Sequence, residues 1–355
     1  MKKAFYMMAA AAIALSSCSS EETTDVAKSS TITFRPTVGL NSRGAELKTE
    51  NLQKMWVTGF YQKATDVYFT DMKYTKEKGT QNTFIPSSPV FWQEDRTYKF
   101  VAISPAKSEW STGLTITRDE VTCDNFAPNS TISDQKDLII DAVEANAEQW
   151  GKDLTLNFKH ILSQIQIKVK NGNENLVYNI KAVRINSVVG KKKFVYNTST
   201  KNSTWSNIEG VNSDTQYELT FDNPYKLDGK NTTELTLTSK DATIANGGGA
   251  MLIPQNVTAW DGNKVDDTNP YTGGAYISIY LNVKMASGNK FMYPAGAQGD
   301  QTYGWVAIPV PAINWAEGNK YIYTLDMSTG CGKVDPQNPG ENVNPGGKKD
   351  PTAPK

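Results

Sequence analysis

The chain is poor in the residues that most often carry chemistry. Of its 355 residues only one is histidine, His160, and three are cysteine, Cys18, Cys123 and Cys331. A single histidine excludes most zinc sites and leaves acid–base catalysis by imidazole with one candidate. That candidate lies in Phe158-Lys159-His160-Ile161, inside a strand pattern, where a structural, hydrogen-bonded role is the ordinary one. Charge of either sign is also not in excess: 37 Lys and Arg balance 37 Asp and Glu. A neutral chain of this kind is not built for nucleic acid or for an anionic membrane surface. Gly-x-Ser-x-Gly, His-Glu-x-x-His and the phosphate-binding Gly-x-x-x-x-Gly-Lys-Ser/Thr are missing. Gly247-Gly248-Gly249 runs into Ala250-Met251-Leu252-Ile253, a strand rather than a helix, so it reads as a turn or bulge. The composition describes a protein that is not an enzyme and needs no cofactor.

Long apolar runs are missing as well. The longest, Ala4–Leu15, has 12 residues, too few to cross a hydrocarbon core of about 30 Å as a helix. It follows Lys2 and Lys3 and ends in Leu15-Ser16-Ser17-Cys18. A basic start, a short apolar stretch, two small residues and a cysteine make a lipoprotein signal over residues 1–17. Lipidation of Cys18 by acyl chains such as palmitate then anchors the chain to a membrane. Ser19-Ser20-Glu21-Glu22 resembles the acidic export signal of surface-exposed outer-membrane lipoproteins. Residues 18–30 read as a polar tether.

What is present is alternation. Ile277, Ile279, Leu281, Val283 and Met285 alternate with polar residues or tyrosine, the period of a half-buried strand. Leu154, Leu156 and Phe158 do the same, as do Ile165, Ile167 and Val169, and Tyr321, Tyr323, Leu325 and Met327. Ile32, Phe34 and Val38 form an early run interrupted by Pro36. Helical periodicity is nearly missing, and no internal repeat has a fixed period. The expectation is an all-β protein of two antiparallel β-sandwich domains in tandem, 31–151 and 152–330. Residues 331–355 hold five prolines and four glycines and are expected to be a disordered tail.

Three further groups leave alternatives open. Asp266-Asp267 lies in a polar run that could hold calcium or serve as a plain loop. Cys123 and Cys331 could pair in an oxidising envelope or stay apart. Trp110, Trp205 and Trp260 lie in polar contexts and are candidate glycan contacts, although aromatics in such a fold are mostly core.

Several segments in order carry a family resemblance: Ser42-Arg43-Gly44 after an early strand; Phe91-Trp92; Tyr98–Pro105; Asp137-Leu138-Ile139-Ile140; Leu154–His160; Met251-Leu252-Ile253-Pro254-Gln255; and Trp315–Tyr323. Behind a lipobox, this order resembles the fimbrillin family of the Bacteroidales, the Mfa-like and FimA-like lipoproteins of type V pili. The resemblance implies two transthyretin-like sandwiches and assembly by strand exchange. It also implies a protease cut after Arg43, loss of the lipid together with a leaving strand carrying Ile32, Phe34 and Val38, and entry of another subunit's strand. The proline-rich tail is a poor donor strand, which implies a terminal (tip) or accessory subunit. The partners implied are other pilus subunits through strand donation, the outer membrane through the lipid, and a surface glycan or protein of host or bacterium. The alternative is a surface lipoprotein that binds glycans and never polymerises.

Overall fold

A computed structural model of the chain describes residues 31–39, 47–62, 66–110, 113–211, 214–244, 247–260, 274–288, 290–330 and 333–334. The secondary structure there is strand, with three single turns of 3-10 helix and no α-helix among the described residues. The first unit contributes β1 (Phe34–Val38), β2 (Lys54–Tyr61), β3 (Val67–Lys76), β4 (Phe84–Pro86) and β5 (Thr97–Ser104). It continues with β6 (Thr115–Ile116), β7 (Glu120–Phe126), β8 (Ile139–Asn146) and β9 (Leu154–His160). Seven of these close on themselves in the order β1, β4, β3, β2, β5, β8, β9. Where a sandwich is expected, the seven strands close into a barrel, although the seam between β1 and β4 is the single pair Phe34 opposite Phe84. One pairing is not antiparallel: β1 runs parallel to β9, from Phe34 opposite Leu154 to Val38 opposite Phe158.

Alternation puts one face of each strand inside. Along β9, Leu154, Leu156, Phe158 and His160 are buried while Thr155, Asn157 and Lys159 are exposed. Ile32, Phe34 and Val38 point inward onto Tyr74, Phe84, Trp92, Tyr98 and Phe100. This is the period-two consequence of strand geometry.

The second unit contributes β10 (Ser163–Lys170), β11 (Leu176–Val189), β12 (Lys192–Asn197), β13 (Asn202–Ser206), β14 (Asp214–Asp228), β15 (Glu234–Thr236) and β16 (Ala250–Leu252). Then come β17 (Gln255–Val257), β18 (Tyr276–Met285), β19 (Phe291–Tyr293), β20 (Gly304–Pro309), β21 (Ile313–Trp315), β22 (Lys320–Asp326) and β23 (Lys333–Val334). One sheet runs β14, β11, β18, β20, β23; in the other, β10 pairs with β15 and β16 and with β22. Ile165, Ile167 and Val169 of one sheet meet Ile180, Val183, Ile277, Ile279 and Leu281 of the other in a single core.

The two units share a plan that no sequence period betrays. The run β14, β11, β18, β20 follows the order of β3, β2, β5, β8. The first strand of each unit lies parallel to a late one: β10 with β22 as β1 with β9. In the second unit β20 pairs with β23, not β22, so the ring stays open.

The boundary also differs from the expected Gly151. β9 belongs to the barrel through β1 and β8, so the chain changes units between His160 and Ser163. The units are tied by a sheet with strands from both: β13 and β12 of the second pair onto β7 and β6 of the first. A core of its own, with Trp110, Cys123, Phe126, Phe194, Tyr196 and Met251, lies at this junction. Within the expected tail, Lys333 and Val334 pair with Ala307 and Val306.

Candidate strand-exchange site

The first strand is held in an unequal way. Towards β9 it has a ladder of five residue pairs; towards β4 it has one, Phe34 opposite Phe84. Such a strand is close to an edge strand, which explains why Pro36, lacking an N–H, is tolerated in its middle. The Asn82 side-chain amide donates to the Pro36 carbonyl and fills part of the gap on the β4 side. Ile32 N–H donates to the Val90 carbonyl at 2.7 Å, and Leu154 N–H to the Thr33 carbonyl at 2.9 Å. At the other end, Gly39 N–H donates to the Phe158 carbonyl at 3.0 Å, and Val38 N–H to the Thr49 hydroxyl at 2.9 Å.

The inner face supplies most of the hold. Phe34 is fully buried and meets Tyr74 and Phe100 edge-on, with ring centroids 4.9 and 5.4 Å away, the arrangement that opposes a ring edge to a π face. Burial also pushes the Tyr74 phenol well above its ordinary pKa.

One carboxylate organises the outer face. Asp153 accepts from the Thr33 hydroxyl at 2.6 Å, the Thr83 hydroxyl at 2.9 Å and the Arg35 guanidinium at 2.9 Å. Desolvation pushes its pKa up, but the hydrogen bonds from Thr33, Thr83 and Arg35 outweigh it and hold the carboxyl below its ordinary value. Nothing in the sequence marked Asp153 or Asn82, because their partners on β1 are remote along the chain.

His160 is buried at the end of β9. Its Nδ1 lies 2.9 Å from Asp137 Oδ1, and Asp137 Oδ2 accepts from Leu47 N–H at 3.1 Å. The carboxylate thus joins the end of β9 to Leu47. Among the described residues no nucleophile is hydrogen-bonded to the imidazole.

Of the three expected surface tryptophans, two are buried and Trp205 is half-buried. Trp110 is 5% exposed and Trp260 4%. Trp110 donates from Nε1 to the Pro105 carbonyl at 3.2 Å and packs on Phe194. Trp260 covers Tyr276 at 5.0 Å. Trp205 is half-buried between Phe194 and Phe126, at 4.7 and 5.2 Å. Polar neighbours in sequence did not reveal these apolar neighbours in space, and hydrophobic burial decided the outcome. Cys123 is buried in the junction core, and desolvation pushes its thiol pKa up. Cys18, Arg43, Asp266, Asp267 and Cys331 lie outside the described residues.

Comparison with known proteins gives the chain relatives. The model of a family described as fimbrillin-like matches residues 44–341. A proposed cell adhesion protein from Bacteroides ovatus is similar in structure, with 13% identity and a TM-score of 0.45 over 89% of this chain and 96% of that one. Another from Bacteroides uniformis has 15% identity and a TM-score of 0.42 over 87% and 98%. A proposed adhesin from Bacteroides ovatus has 8% identity and a TM-score of 0.36 over 84% and 89%. No curated protein matches the chain.

Proposed function

The chain belongs to the fimbrillin-like family, and on that premise we propose that it is a structural, adhesive subunit of a cell-surface pilus. β1 is the strand it gives up. Lipidation at Cys18 delivers the chain to the outer membrane, and a cut after Arg43 frees Cys18–Arg43 with β1 in it. The observation that carries this reading is the lopsided hold on β1. Its inner side chains are buried, yet its backbone is laddered fully only to β9. Departure leaves five residues of β9 without partners on that side and exposes the pockets of Ile32, Phe34 and Val38. An incoming strand with apolar residues at alternate positions restores both terms.

Residues 331–355 are rich in proline and suit donation poorly, which favours a terminal or accessory place in the pilus. No catalytic role enters this account. The test is the N-terminal residue of the protein recovered from the cell surface. A start at Gly44 supports processing and exchange. A blocked, lipidated Cys18 in all of the surface pool contradicts it and favours a permanently anchored lipoprotein.

A further inference from the structure

The outer face of the β14–β11–β18–β20 sheet carries side chains that strand exchange does not use. Tyr280 on β18 stacks on Trp305 of β20, with centroids 4.9 Å apart and planes at 27°. The Tyr303 ring lies 5.4 Å from that of Tyr280. The Arg184 guanidinium lies 3.7 Å over the Trp305 ring. Trp305 is nearly buried by this arrangement, whereas Tyr280 and Tyr303 stay partly open. The sheet buries its other face through Ile277, Ile279 and Leu281; on this face Tyr276, Ser278 and Asn282 are buried too, so the openness of Tyr280 and Tyr303 is local.

A polar hollow adjoins the stack. Glu218 lies opposite Arg184 across the β11–β14 ladder. Its Oε2 accepts from Arg184 Nε at 2.8 Å and from Gln216 Nε2 at 3.3 Å. Its Oε1 accepts from the Thr220 hydroxyl at 2.7 Å. Glu218, Gln216 and Thr220, with Ser130 and Ser133, line a hollow of about 400 Å³, within the range of ligand pockets. The row from Thr220 to Tyr280 passes over Ala182, and the row from Glu218 to Ala307 over Arg184 and Ser278. Arg184 therefore links the hollow to the rings, bonded to Glu218 and lying over Trp305.

We propose that this face is a binding site for neutral oligosaccharides. A sugar ring has apolar C–H faces and a rim of hydroxyls that both donate and accept. Open tyrosine rings suit the first; the carboxylate, amide and hydroxyls of the hollow suit the second. Charge selects the class of sugar. Arg184 is paired with Glu218 and Lys284 with Asp300, 3.0 Å away, so these charges are matched on the face. An acidic glycan finds no unspent charge in either pair to favour it over a neutral one. The proposal extends the adhesive part of the functional reading and is independent of β1, Arg43 and Cys18.

The test is native affinity electrophoresis of the full chain in gels containing mannan, dextran or galactomannan, with chondroitin sulfate as the acidic comparison. Retardation by at least one neutral polysaccharide is expected. Tyr303→Ala and Glu218→Gln should each weaken it about tenfold, while Tyr303→Phe, which keeps the ring, should retain it. Thermal melts of each variant verify folding. The proposal is overturned by no retardation in any neutral gel, by retardation in chondroitin sulfate alone, or by folded Tyr303→Ala and Glu218→Gln proteins that bind as the parent does. A negative result here leaves the N-terminal residue of the surface protein, and so the exchange reading, as it was.

Discussion

Replacing Phe34 with alanine tests how much of the barrel's stability rests on β1. The ring is fully buried and lies edge-on to Tyr74 and Phe100. Removing a buried phenylalanine costs about 3–5 kcal/mol, from lost transfer energy and the cavity left behind. The low end applies if the two neighbouring rings relax into the space, and the high end if the barrel holds them apart. At roughly 2–4 °C per kcal/mol, the unfolding transition that includes the barrel should fall by roughly 10 °C. Calorimetry or near-ultraviolet circular dichroism on the purified chain reads it. Thr37→Ala on the outer face is the control. The Thr37 hydroxyl contacts Asn157 Oδ1 at 2.8 Å and the Leu156 carbonyl at 3.3 Å in an exposed place, and its loss should cost at most about 1 kcal/mol. Equal, small effects of the two substitutions would refute the claim that the inner face of β1 supplies the hold.

Other expectations follow from the same contacts. The carboxyl of Asp153 has a folded pKa below its ordinary 3.8, so its stabilising effect is full above that value. The effect is lost as pH falls through the lower folded pKa; acid melts should show this loss, and Asp153→Asn should abolish it. His160→Gln should change stability by no more than a few kcal/mol and leave the folded protein's adhesion intact, and a hydrolytic activity that disappears in the folded variant would contradict the structural role. Cys18→Ala should abolish labelling by radioactive palmitate and surface display, and unchanged labelling would remove the lipid anchor from the account.

Alternation made the strands legible. Leu154, Leu156 and Phe158, and Ile277 through Val283, face inward as their spacing requires. So do Ile32, Phe34 and Val38. Alternation reports which face is buried and not which strand lies alongside. The parallel pairing of β1 with β9, the closure of the barrel and the shared plan of the two units were therefore hidden. The sheet that joins β7 to β12 was hidden for the same reason, and with it the burial of Trp110. The ring stack was missed because Tyr280 and Trp305 meet only through the β18–β20 register, Tyr280 opposite Trp305. The role of Asp153 depends on β1 lying beside β9, and no local pattern encodes that.

The exchange of β1 is the central claim, and binding of a strand by the trimmed protein tests it most directly. Limited trypsin treatment should cut first after Arg43, and the fragment containing Thr31–Val38 should then be removable. The remaining chain should melt at a lower temperature than the parent. Added synthetic donor strand from a stalk subunit should raise the melting temperature as its concentration rises, the stabilisation being about 2.7 kcal/mol at a hundred times its dissociation constant. The trimmed protein alone should form no ladders. A trimmed protein as stable as the parent and indifferent to every donor strand would contradict the account.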